Sequence, residues 1–360
     1  MPPVQPSIRG SLLTGASALA LSVSGTGSNA QTAQTPLQNV SVWVEGAAFW
    51  TGGGATNFPS LPGLGAPYTS FNPPHGPEWA IGADYQPQGQ PWHYVFDFRY
   101  GQSGTTTVRT SGGSSSSSTS FVPAVTQPFF GFSSIVFGTT TNQTTSNSFA
   151  TQYSERESHL VADLMIGRDL GLGANGPELL FGLRVADLHA AGQAQISTQS
   201  TTNSTTNTTF YAPTNAGTVG TTTASQSTSS SSSTFASWGS RFFGVGPRLA
   251  VTGAVPIMGA WSFDYSGGAA VLIGDQSFNV TVWNNGGPGL GASYGGTTAV
   301  FNMDGFTALS YRITPNFKLS AGIRADFYNA ALKTYDVSTG GLQSLSRIYW
   351  GPFVRLTGSF

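Results

Sequence analysis

Few residues in this chain have types and spacings suited to chemistry. It carries four histidines, fifteen carboxylates and no cysteine. General acid–base work needs a histidine or carboxylate within hydrogen-bond reach of the group that orients it. His159 and Asp163 share one face of an alternating segment, but four extended residues separate them by roughly 13 Å, too far for a direct pair. Asp187 and His189 lie closer on one face, near the outer end of their segment, and make the better candidate for hydrolysis at a rim. The glycine-rich stretch 286–296 is followed by no Lys-Ser/Thr and opens no amphipathic helix, so it does not read as a phosphate loop. Without cysteine there are no disulfides, thiolate metal sites or cysteine nucleophiles. The expectation is no enzyme, no metal and no cofactor, with these groups serving as polar wall residues.

The elements that must position them are strands. After about residue 38 the apolar residues recur at period two instead of 3.6. In Trp92-His93-Tyr94-Val95-Phe96-Asp97-Phe98-Arg99-Tyr100 one face is aromatic throughout, while the other carries His93, Val95, Asp97 and Arg99. Phe317, Leu319, Ala321, Ile323, Ala325 and Phe327 likewise oppose Lys318, Ser320, Arg324 and Asp326. Ile348, Trp350, Pro352, Val354, Leu356 and Phe360 alternate with Arg347, Arg355 and Thr357. A soluble strand buries its apolar face. Here the apolar face fits a lipid-facing wall and the charged face a lumen, with Trp50, Trp79, Trp92, Tyr100, Trp238, Trp261, Tyr311 and Trp350 at segment ends, as interface girdles require.

Bulk composition agrees. Only 8% of residues are charged, against roughly 25% in ordinary soluble domains, while 12% are aromatic and 47 are glycine. The net charge of −1 provides no basic footprint for nucleic acid. Residues 1–30 read as a cleaved signal peptide: Arg9 supplies the positive region, Leu12 through Val23 the apolar core, and Ser28-Asn29-Ala30 a small-residue cut site before Gln31. The remaining domain, 31–360, is expected to be an all-β transmembrane antiparallel up-and-down barrel of about ten strands, with eight to twelve as the range.

The ten segments lie near 40–50, 78–86, 91–101, 151–167, 178–192, 236–252, 260–274, 297–313, 316–331 and 346–360. Short connections near 86–90, 169–177, 253–259 and 314–315 alternate with long ones at 51–77, 102–150, 193–235, 275–296 and 332–345. That is the asymmetry of periplasmic turns and extracellular loops. The tracts 111–120 and 197–234 are Ser/Thr/Asn/Gly-rich with almost no charge or bulky apolar side chain, and are expected to be mobile loops. Asn203-Ser204-Thr205 and Asn207-Thr208-Thr209 match a glycosylation pattern that such a composition produces by chance.

Alternation points a set of charges inward: Glu45, Asp84, Asp97, Arg99, Asp163, Arg184, Arg248, Asp264, Asp304, Arg312, Lys318, Arg324, Asp326, Arg347 and Arg355. Glu78 and Glu157 join the acidic group. The early strands are weighted to acids and the late ones to bases, so closure should bring Arg347 and Arg355 near Glu45 and set opposite charges facing across the bore. In a water-filled pore this makes a transverse field favouring small polar solutes. In a narrow barrel the same charges pair and plug the lumen, and ten strands sits near that boundary.

Several segments carry a resemblance. Val42-Trp43-Val44-Glu45, Leu160-Val161-Ala162-Asp163 through Ile166-Gly167-Arg168, Gly246-Pro247-Arg248-Leu249, Trp261-Ser262-Phe263 leading to Val271-Leu272-Ile273-Gly274, Ser310-Tyr311-Arg312, Lys318 through Tyr328 and Gly351-Pro352-Phe353-Val354-Arg355-Leu356 resemble, in that order, the Legionella-type major outer-membrane protein family. The likeness covers most strands and fails in the Ser/Thr tracts. It implies a pore-forming barrel of the bacterial outer membrane without catalytic residues. The terminal Phe360 on an alternating segment also resembles the ending read by barrel-assembly machinery. The expected function is passive diffusion of small hydrophilic solutes, with a closed structural or adhesive barrel displaying Ser/Thr-rich loops as the alternative. Expected partners are outer-membrane lipid, the assembly machinery and small polar solutes. Nucleic acid is not among them, and oligomerisation is left open.

Overall fold

A computed structural model describes residues 40–53, 56–58, 69–71, 75–88, 90–129, 132–170, 176–211, 218–285, 287, 289–336 and 341–360. The segment 1–30, read from sequence as a signal peptide, lies outside the described residues, as does much of the connection 51–77. The strands are β1 Val40–Gly52, β2 Thr56–Phe58, β3 Thr69–Phe71, β4 Gly76–Tyr85, β5 Trp92–Gln102, β6 Thr106–Phe129, β7 Phe132–Asp169, β8 Glu178–Tyr211, β9 Thr218–Met258, β10 Trp261–Asn284, β11 Leu290–Thr314, β12 Phe317–Asp336 and β13 Gly341–Ser359. β2 and β3 pair only with each other.

The remaining strands close into a ring in the order β5-β4-β1-β13-β12-β11-β10-β9-β8-β7, with β7 returning to β5, and every pairing is antiparallel. β6 continues β5 along the same neighbour. Gln102 pairs with Ser158 and Thr106 with Glu155, so four residues on one side match three on the other. This β-bulge is pinned at Ser103, whose N–H donates to the Glu157 carbonyl at 2.8 Å while its Oγ accepts from the Glu157 N–H at 2.8 Å. The extra residue reverses the alternation, so odd residues face inward on β5 and even ones on β6. Counting β5 and β6 as one gives the ten-stranded up-and-down barrel that the alternation predicts.

The wall follows the sequence pattern. Val44, Ile81, Phe96, Leu164, Leu183, Val245, Ile273, Phe301, Ile323 and Val354, spread over ten strands, are all exposed on the outside. Trp50 stacks on Trp350 at 5.2 Å between ring centroids on one belt, and Trp261 meets Tyr311 at 4.9 Å on the other. On the last strand Trp350 and Phe360 stand ten positions apart. At about 3.3 Å per residue and a tilt of about 40°, they lie roughly 25 Å apart along the barrel axis, the height of an outer-membrane apolar band. Trp238 is an exception to the girdle expectation. It faces inward, laid over its cross-strand partner Gly192, and packs with the interior apolar clusters.

The largest departure concerns the Ser/Thr tracts. Residues 111–120 and 197–234, expected to be mobile loops, are strand throughout their described length. β6, β7, β8 and β9 run beyond the girdle as one four-stranded sheet, here termed the arm. Leu160 is level with Tyr100 and Trp79 in the aromatic belt, and β7 begins at Phe132. The intervening 28 residues span about 90 Å at 3.3 Å per residue. Two effects make strands of a composition that buries little. β-Branched threonine favours extended backbone, and the barrel's ladders supply a template on which each added residue gains backbone hydrogen bonds without a new nucleus. Hydroxyl and amide pairs add to this: Thr145 with Thr202 at 3.4 Å, Thr141 with Thr206 at 3.3 Å, and Thr119 Oγ1 donating to Asn142 Oδ1 at 2.9 Å. The turn expected over 253–259 is also shorter. β9 continues to Met258, and Gly259, at φ +59°, forms it with Ala260.

Candidate functional site

The inward residues form tiers along the bore. At the short-turn end a cavity of about 480 Å³ is lined by Asp84, His93, Asp264, Arg312 and Lys318, among others. His93 Nδ1 lies 2.9 Å from Asp84 and its Nε2 lies 3.4 Å from Glu178. Asp264 takes hydrogen bonds from Lys318 Nζ and Ser310 Oγ, each at 2.7 Å, and from Ser262 Oγ at 2.9 Å.

Above it lies an ionic tier in which charges from distant strands bond directly. Arg184 is wholly buried. Its Nε and Nη2 donate to the two oxygens of Asp163 at 2.7 Å each, and its Nη1 reaches Asn302 at 2.5 Å and Asp304 at 2.8 Å. Arg99 on β5 makes a two-pronged contact with Asp326 on β12, at 2.7 and 3.1 Å, nearly across the ring, and holds Asp97 at 3.2 Å. Arg324 bridges Glu45 at 2.6 Å and Glu78 at 3.1 Å. Arg248 pairs with Asp304 and stands 3.4 Å from Asp163. Fork-to-fork geometry suits such pairs, because a guanidinium presents parallel donors to both carboxylate oxygens.

The third tier is apolar with one embedded ion pair. Leu188, Phe242, Leu272, Val300, Tyr328, Leu332 and Tyr349 are buried in one cluster. Within it Arg347 Nη2 contacts Glu157 at 2.5 Å, from β13 to β7. A buried cross-bore pair of this kind satisfies charges that lipid or an apolar core would otherwise leave uncompensated. Above this tier Tyr153, Ala194 and Ala236 form a further apolar cluster, with Val108 and Trp238 packed against them.

The residues expected in the lumen are buried or line the cavity at the short-turn end. The partners were less legible. Glu45 and Arg355 are cross-strand neighbours joined at 2.8 Å, as expected at the seam. Arg347 does not approach Glu45 and instead pairs with Glu157, because it stands eight positions before Arg355 on β13, level with a higher tier. His159 does not pair with Asp163. Its Nε2 meets Glu78 at 2.7 Å, with Phe49 and Tyr349 rings at 4.8 and 4.4 Å. Glu78, Gly101 and His159 occupy one row across β4, β5 and β7, and a side chain at Gly101 would strike the His159 ring. Only the register reveals that contact. Asp187 bonds Arg241 at 2.6 and 2.9 Å on the outer face, with Arg241 more than half exposed, and makes no pair with His189.

The comparisons come to fold-level similarity. No protein family matches the sequence, and no curated protein matches it, so membership of the Legionella-type family is not shown. Among solved structures, the chain is similar to the outer-membrane protease OmpT from Escherichia coli, at 10% identity over 92% of this chain and 99% of that one, with a TM-score of 0.37. It is also similar to the translocator domain of autotransporter NalP from Neisseria meningitidis, at 9% identity over 89% and 88%, with a TM-score of 0.26. A third is the toluene transporter TodX of Pseudomonas putida, at 10% identity over 89% and 90%, with a TM-score of 0.21. Similarity at this level carries neither activity nor substrate to this chain. The closed ring with its apolar belt identifies a membrane-spanning β-barrel of the outer-membrane type on its own geometry.

Proposed function

We propose that this chain is a bacterial outer-membrane protein whose barrel is a sealed anchor and whose work is done outside the membrane by the Ser/Thr-rich arm, in an adhesive or structural role without catalysis. The short-turn end then faces the periplasm and the arm faces outward. The observation that carries this reading is Arg184, wholly buried in the bore and bonded at once to Asp163, Asn302 and Asp304. These bonds join β8 to β7 and β11, and Arg99 with Asp326 links β5 to β12, which supports a bore filled by side chains as in small barrels.

Passive diffusion of small hydrophilic solutes, the function implied by the Legionella-type resemblance, is the second reading. The charged cavity of about 480 Å³ at the short-turn end favours it, since its lining suits hydrated ions and small polar solutes. Planar-bilayer recording separates the two. The sealed anchor gives a silent membrane over repeated insertions. Discrete conductance steps whose reversal potential moves toward cations on Arg324→Gln and Arg355→Gln would establish the pore instead. On the sealed reading, shortening the arm by removing 112–148 and 199–231 abolishes attachment of cells to a surface while the barrel still assembles. Unchanged attachment would count against it.

A further inference from the structure

We propose that the mouth of the barrel at the base of the arm is a binding site for an uncharged saccharide chain. The site goes beyond the anchor reading and stands whether or not the arm is adhesive. A recess of about 1160 Å³ opens there, and none of the residues lining it is charged. One row of four cross-strand partners forms its wall: Gly112 on β6, Phe149 on β7, Thr198 on β8 and Ser232 on β9. At interstrand steps of about 4.8 Å the row is roughly 14 Å long. Its inward direction follows from alternation, since Thr151, Ile196 and Thr234 in the adjacent inward row are buried.

The row has an aromatic platform. A Cβ at Gly112 would fall 2.7 Å from Phe149 Cε1 and Cζ, so the ring occupies the space that the glycine leaves and lies over the sheet, still half-exposed to the recess. Beside it Thr198 Oγ1 and Ser232 Oγ form a hydroxyl pair at 2.6 Å. Asn285 stands at the rim in a left-handed conformation, held by its N–H to the Ser233 carbonyl at 2.7 Å and by its Oδ1, which accepts the Ser233 N–H at 2.8 Å.

Its chemistry selects the ligand. An aromatic face attracts the weakly positive C–H surface of a sugar ring, while hydroxyls that both donate and accept suit sugar hydroxyls. Anions find no cation in the lining, and cations find no carboxylate. A peptide would add to a free backbone edge; such edges lie on β6 and on β9 beyond Thr234, whereas the Phe149–Thr198 centre of the row lies on β7 and β8, which are paired on both sides. An aliphatic ligand would leave the hydroxyls desolvated and unpaired.

The test is titration of the detergent-solubilised full chain with three probes: maltoheptaose, a heparin-derived hexasaccharide and a neutral Ala/Ser hexapeptide, read by calorimetry and saturation-transfer NMR. Maltoheptaose binds saturably. Phe149→Ala and Gly112→Val weaken it at least tenfold, whereas Phe149→Tyr retains it, as does Phe121→Ala on the outer arm. Heat-dependent gel mobility verifies that each variant is a folded barrel. Absence of maltoheptaose binding to the wild type, preference for heparin or the peptide, or equal binding to folded Phe149→Ala would each overturn the proposal.

Discussion

Burial decides the worth of each interior ion pair. Arg184 is wholly buried between Asp163 and Asp304, whereas the Arg241 side chain is 55% exposed beside Asp187. Removing one partner of a buried pair leaves an uncompensated charge and costs about 3–5 kcal/mol. An exposed pair contributes about 0–1 kcal/mol. Arg184→Met should therefore lower the urea midpoint of unfolding in detergent substantially, and Arg241→Ala should barely move it. Equal shifts would mean that the bore is wet at the level of Arg184. Gly101 shows the same economy of space at a neutral residue. Its missing side chain is what allows His159 and Glu78 to meet, so Gly101→Val should displace His159 and destabilise the barrel by the loss of a buried contact.

At the scale of elements, the arm shows how a strand can be stable with almost no apolar burial. Ser117, Thr144, Asn203 and Ser227 form one row and Ser116, Thr145, Thr202 and Thr228 the next, so both faces are hydroxyl and amide. Composition alone reads such tracts as loops, because the usual offset to ordering is hydrophobic. The offset here is the backbone ladder continued from the barrel, with cross-strand side-chain pairs worth about 0.2–1 kcal/mol each. β8 is one of the two central strands and bonds neighbours on both sides. Thr202→Pro removes a ladder donor there and should open the arm locally, exposing the residues around 139–145 and 222–231 to protease while the barrel stays intact. In the wild type those segments resist cleavage under the same treatment. Rapid cleavage of the wild-type arm would show that the ladder is not formed.

At the scale of the whole molecule, the closing strand joins the two ends of the ring. β13 lies between β12 and β1, and the Val40 and Phe360 backbones exchange hydrogen bonds at 3.2 and 2.9 Å. Deleting 358–360 should leave the start of β1 unpaired on its β13 side and reduce the yield of heat-modifiable, assembled barrel, with no comparable loss from deleting arm residues 199–231. The positions of the ten barrel segments, though not of the arm, were legible in local alternation, since side chains point to opposite faces at every step whatever the partner strand. Only the tertiary structure decided which charges meet: Arg347 with Glu157, Arg99 with Asp326 and His159 with Glu78. Such contacts depend on register and closure, which bring together residues as far apart in sequence as Arg99 and Asp326. The bulge at Ser103 and the extension of the Ser/Thr tracts into an arm belong to the same class. A sequence states its own periodicity, but a backbone hydrogen bond needs a partner strand in a definite register, and that register is set only when the strands pair.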